Sequence, residues 1–207
     1  MTIRFLPWLP PSADARFRGL RVMLLGESHY EEPGFHDADA KADLTREIVA
    51  TWGVHPVSRQ TFFANVFTMM TGHPWVAHAA ALGTFWNSVV FYNYVQTLVP
   101  GGPRSRPTPP MWKAAAPMFL EAIEAVRPDA VVALGEALWE HMPEDDLPRA
   151  SLSDGLGMIC RYVLKDDFVV YAAHTRHPSS LGFQPTQWEP KVTRFLDWVA
   201  DRRAARA

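Results

Sequence analysis

The sequence predicts an α/β fold, a three-layer αβα sandwich around a short, mainly parallel sheet of four strands, and three observations carry the prediction. Apolar runs occur at LRVMLLG (20–26), SVVFYN (88–93), AVVALG (130–135) and FVVYAAH (168–174). Each is continuous rather than alternating, the pattern of strands covered on both faces. Segments with helical spacing lie between them, and strands alternating with helices build parallel sheets. At 207 residues and 48% apolar content, a single domain over 1–207 buries a sizeable core.

The clearest helix is PPMWKAAAPMFLEAIEAV (109–126), where Met111, Ala115, Met118, Ile123 and Val126 recur near one face. DADAKADLTREIVATW (37–52) opens with acidic residues suited to a helix N-terminus. RQTFFANVFTMMTG (59–72) closes on glycine, and EALWEHM (136–142) follows the third strand directly. In the last segment, 187–207, Val192, Phe195, Leu196 and Val199 form one stripe ahead of a basic tail.

A formal net charge of −2 excludes a histone-like polyanion binder, so any nucleic-acid role needs a local basic patch or stacking on single strands. The eight Trp and twelve Phe suit either a core or flat ligands. The lone Cys160 rules out internal disulfides and multi-thiolate metal or iron–sulfur sites. The first residues lack the apolar run of a signal peptide, and no stretch reaches the eighteen or so apolar residues of a membrane span. The expectation is a cytoplasmic protein with no membrane partner, no metal and no cofactor.

If the four runs are parallel, the groups that follow them gather at one sheet edge. That edge receives Glu27, Ser28, His29 and Tyr30 from the first, Asn93 and Tyr94 from the second, and Glu136 from the third. The fourth contributes His174, Arg176, His177 and Ser179. The loop VPGGPRSRPTPP (99–110), with five prolines, Arg104 and Arg106, reads either as a stiff surface linker or as an anion-binding lip. Singly, His29 and His177 also read as satisfied loop histidines, Asn93 as a strand terminator and Glu27 as an exposed charge. Together they describe a crevice for a flat polar ligand and acid–base chemistry.

These residues resemble the uracil-DNA glycosylase superfamily. LLGESHY is similar to its first motif, G-Q-D-P-Y-H in one branch and G-E-x-P-G in another. VVFYNYV resembles the strand ending in a uracil-reading Asn, RPDAVVALGEALWEHM the third strand and its helix, and AAHTRHPSSLGF the closing motif H-P-S-P-L-S. The order is kept over most of the chain.

The resemblance implies a site at the carboxyl edge of the sheet and DNA as partner, in base-excision repair. In it Asn93 reads the uracil edge, and His177 donates to the pyrimidine O2 as charge builds on the leaving base. Tyr30 crowds C5, Ser179 binds phosphate, and Leu181 wedges into the space of the extruded nucleotide. Glu27 positions water or stabilises the cationic sugar with Ser28 in support, Ser28 standing where one branch has Asp. Gly26 and His29, the latter in place of the motif's proline, complete the base pocket. Phe35 and Phe62 are the two candidates for stacking on the base, and Arg104, Arg106 and Arg176 for contacting DNA.

Two other readings remain open. One is a nucleobase- or nucleic-acid-binding module that kept the pocket and lost the chemistry. The other is a serine hydrolase using Ser28 and His177, against which GESHY lacks the second glycine of a nucleophile elbow.

Overall fold

The computed structural model describes residues 3–77, 79–144, 150–152 and 157–205, with backbone alone for 150–152 and 157. Its elements, numbered along the chain, are β1 (Val22–Gly26), α1 (Leu44–Val49), α2 (Thr61–Thr71), α3 (Ala80–Trp86), β2 (Val90–Asn93), α4 (Pro109–Val126), β3 (Ala130–Leu134), α5 (Glu136–His141), β4 (Ala150–Leu152), β5 (Gly157–Val163), β6 (Val169–Thr175) and α6 (Pro185–Ala204). Among the described residues no helix is long and apolar enough to cross a membrane.

All four predicted strands form and run parallel. Gly26 pairs with Asn93, Val22 with Ala130 and Leu134 with Thr175, so β1, β2, β3 and β6 end on one edge. The expectation of four strands is corrected: β5 pairs antiparallel with β6, making a mixed five-stranded sheet, and short β4 extends it, in the order β2-β1-β3-β6-β5-β4. The sequence of β5, GMICRYV, carries an arginine and lacks the continuous apolar run of a strand covered on both sides.

Period-two alternation sends successive strand residues to opposite faces. Leu24, Phe91, Val132 and Tyr171 meet α2, α3 and α6 in one core, while Met23, Leu25, Tyr92, Val131 and Ala172 meet α4 and α5 in another.

One expected helix is broken up and one helix is unexpected. Residues 37–52 are not one helix: Asp37–Asp39 form a single 3-10 turn, and α1 starts at Leu44 and passes into a π-helical turn, Ala50–Val54. Asp37 accepts two bonds from the Arg4 guanidinium, at 2.7 and 2.8 Å, and one from the Leu98 N–H, which ties that turn to the N-terminal segment and the segment after β2 instead of to α1. Helix α3, seven residues long with Gly83 inside it, has no clear sequence signal. Helix α2 ends as expected, with Gly72 left-handed at φ 73°.

Candidate functional site

A cleft of about 300 Å³ opens at the carboxyl edge of β1 and β2. It is lined by Glu27, Ser28, His29 and Tyr30 after β1, Asn93 at the end of β2, His177 and Ser179 after β6, and Phe62 and Phe63 from α2. Three separate strand ends thus supply one hollow.

The first loop is held in place by main-chain bonds to the segment after β2. Val95 N–H donates to Glu27 C=O, Val99 N–H to His29 C=O, and Glu31 N–H to Val99 C=O, at 2.9 to 3.0 Å. These bonds carry the parallel pairing of Gly26 with Asn93 past the strand ends, as far as a bridge between Tyr30 and Val99.

Glu27 is only 4% exposed. Its carboxylate accepts a bond from Arg106 at 3.0 Å, while the Arg106 side chain stays 68% exposed. Burial pushes the carboxyl above its ordinary range, with the Arg106 charge and hydrogen bond acting against it. Arg106, expected on DNA, is therefore also the counter-ion of the proposed acid–base group.

His177 packs on Phe62, with ring centroids 5.6 Å apart, and lies against Gly135 at the end of β3. The Ser179 N–H donates to its Nδ1 at 3.1 Å. A main-chain N–H has only a proton to offer, so Nδ1 is the acceptor and the neutral ring carries its hydrogen on Nε2. Burial, aided by the Arg106 charge, lowers the pKa to about 4, so near pH 7 the ring is an uncharged N–H donor. The loop carrying it is fixed by Asn65 of α2, whose amide donates to Pro178 C=O at 2.7 Å and accepts from Arg59.

Asn93 is 4% exposed. Its Nδ2 lies 3.1 Å from each ring nitrogen of His29, whose Nε2 is 2.8 Å from Thr45 Oγ1. Its Oδ1 rests on Gly26, where an added Cβ would come within 2.1 Å. Gly26 is accordingly not a lining group of this cleft; it admits the Asn93 carbonyl. His29 is 7% exposed, and burial lowers its pKa to about 4.

Other expectations are redistributed. Phe62 stands in the cleft beside His177, whereas Phe35 lines an adjoining hollow of about 310 Å³ with Pro103 and Leu44. Ser28 and Tyr30 border both hollows, and burial raises the Tyr30 pKa with the Ser28 hydroxyl acting oppositely. Tyr94 is not an edge group: it is buried in the α4–α5 core and donates to His141 C=O at 2.8 Å. His174 lies within β6 and stacks on Trp139, and Glu136 is exposed at the start of α5; neither lines the cleft. Arg104, Arg106, Arg176, Ser179 and Leu181 are all exposed, and Leu181 reaches 96%.

Sequence reasoning missed Thr45, Trp52, Gln60 and Asn65. Trp52 lines both hollows from the π-helical turn, where Gly53 sits against the Trp86 ring. Asn65 and Thr45 carried one usable signal, a polar side chain within an otherwise apolar helical face. Among the described residues no cluster of three or more His, Cys, Asp or Glu is arranged to hold a metal ion.

No protein-family model and no curated protein matches this chain.

Proposed function

We propose that the protein is a monofunctional DNA glycosylase of the uracil-DNA glycosylase type, on a three-layer αβα sandwich, hydrolysing the N-glycosidic bond of uracil or a related deaminated or modified base flipped out of DNA. The observation that carries the reading is the shared lining of one cleft by Glu27, Asn93, Phe62 and a His177 held as a neutral Nε2–H donor. A cleft of about 300 Å³ lies at the small end for small-molecule sites, which suits a single base.

In this reading the base enters beside Phe62, and Asn93 presents an amide donor and acceptor to its edge. As the C1′–N1 bond breaks, its electron pair leaves on the base, and His177 Nε2–H donates to O2, where the charge accumulates. Because the ring is uncharged, it stabilises that charge without a full proton transfer. Glu27, in its anionic form, faces the developing positive charge on the sugar. Water adds its oxygen to C1′, Glu27 receives the water's proton, and that proton then passes to the departing base. An abasic sugar and a free base result.

A second reading, a nucleobase-binding module without chemistry, is favoured by one feature: the Glu27 carboxylate is engaged by Arg106 at 3.0 Å, and Ser28 stands where the glycosylase motif has Asp. One experiment separates the two. Labelled oligonucleotides bearing uracil, hydroxymethyluracil, xanthine or hypoxanthine are incubated with the protein, heated in alkali and scored for strand scission. We expect scission at uracil or a close relative and its loss in Asn93→Ala and His177→Ala; tight binding without scission would establish the second reading instead.

A further inference from the structure

We infer that His29 is a positioning residue that fixes the orientation of the Asn93 amide, and thereby decides whether the cleft matches uracil or cytosine. The inference rests on Asn93 being the group that reads the base.

Geometry carries the argument. A carboxamide has an acceptor at one end and a donor at the other, and turning it over exchanges them. Uracil offers a carbonyl acceptor beside a ring N–H donor, whereas cytosine offers an amino donor beside a ring-nitrogen acceptor. The two bases therefore ask for opposite orientations of one amide. Asn93 discriminates only if something in the protein makes one orientation much the better.

Two neighbours do so. On one side Oδ1 rests on the Gly26 α-carbon. An oxygen tolerates that contact as a weak Cα–H···O interaction, while an NH2 group would press its hydrogens on the Cα–H. On the other side Nδ2 meets the His29 ring at 3.1 Å. Nδ2 is equally far from both ring nitrogens, a position that only the face of the imidazole offers, so an Asn93 amide hydrogen points at the ring's π cloud as its acceptor, while Nε2 bonds Thr45 Oγ1 across 2.8 Å. One amide hydrogen is thereby committed to the protein, leaving Oδ1 and the second hydrogen for a ligand.

Reversing the amide would set its carbonyl oxygen against the electron-rich face of the ring, at a histidine only 7% exposed. Phe5 closes this corner, edge-on to the imidazole at 5.5 Å. A proline here, as in the motif the sequence resembles, offers no such acceptor.

The test uses His29→Leu, which removes the ring face, and His29→Phe, which keeps the face and gives up only the bond to Thr45. Excision is measured on uracil and cytosine oligonucleotides, and the 15N-detected spectrum of the His29 ring and the Asn93 side chain is recorded in parallel. We expect one Asn93 amide proton shifted upfield by the ring current of His29. In His29→Leu that signature is lost, and the uracil-to-cytosine ratio of kcat/KM falls at least about threefold, the scale of one weak amide–ring contact. In His29→Phe both recover. An Asn93 amide pair without that upfield shift, or undiminished discrimination in His29→Leu, overturns the inference. If the parent excises neither base, the functional reading fails, and the spectra alone decide whether His29 orients Asn93.

Discussion

The Asn93 carbonyl oxygen occupies the space that a β-carbon on Gly26 would need, since that carbon would lie 2.1 Å from Oδ1 and 2.8 Å from the Phe91 ring. A contact so close to a strand end leaves no room for relaxation in either direction. Gly26→Ala must therefore displace Asn93 from His29 or push β1 off β2. We expect base excision to fall at least about a hundredfold, on the scale of losing one well-placed donor, with Tm lowered. A Gly26→Ala protein of unchanged activity would mean that Asn93 does not read the base.

His177 is expected to act as a neutral donor throughout the physiological range. With its pKa lowered to about 4, the pH–rate profile carries no histidine inflection between pH 6 and 7. His177→Ala should reduce kcat by about a hundredfold to a thousandfold with a much smaller effect on binding of an abasic product. A profile falling below pH 6.5 in the parent but not in His177→Ala would show instead that the ring titrates there.

The two cleft histidines also set a stability dependence. His29 and His177 both have folded pKa values of about 4 against an ordinary 6.5. Each lowered pKa means that the unfolded chain binds the proton first, so the stability present above pH 6.5 is lost as pH falls towards 4. For His29 the shift corresponds to a loss on the order of 3 kcal/mol. We expect chemical denaturation midpoints to decline across this window, and less steeply in His29→Gln.

Arg106 and Glu27 make opposing predictions for activity and stability. Burial raises the Glu27 pKa and Arg106 restrains the rise, so Arg106→Gln should move the acidic limb of the pH–rate profile to higher pH. A carboxyl with a raised folded pKa is most favourable when protonated, and its contribution is lost as pH rises through the folded value. Glu27→Gln should therefore unfold no more easily than the parent at pH 8 while losing excision. Pairing Glu27→Gln with Arg106→Gln distinguishes loss of the ion pair from loss of the base.

Leu181, at 96% exposure, is free to change without a folding cost, and Leu181→Ala should alter stability by no more than about 0.5 kcal/mol. Excision from duplex DNA should drop by more than excision from a single strand, because only the duplex needs its gap filled. Equal losses on both substrates would remove Leu181 from that role.

What could be read in advance divides along physical lines. The strands β1, β2, β3 and β6 announced themselves because burial on both faces forces uninterrupted apolar runs, and their parallel order alone brought Glu27, Asn93 and His177 to one edge. Strand β5, paired antiparallel with β6 and β4, was illegible because its part-exposure at Met158 and Val163 demands no such run. The break after Asp39 depends on Arg4, more than thirty residues away, and no local propensity reports a partner that distant. The same holds for His29: its motif position suggested a ligand-binding role, whereas Thr45, Phe5 and Asn93, from three other segments, enclose it.

Trp8 exchanges two main-chain bonds with Phe91, at 2.9 and 3.1 Å, along the outer side of β2. That short bridge caps a border which would otherwise offer unpaired amides to any passing chain. Trimming the residues up to Pro10 would uncover it, and the shortened protein should then self-associate through β2 and precipitate on concentration, even though every residue of the cleft is still in place.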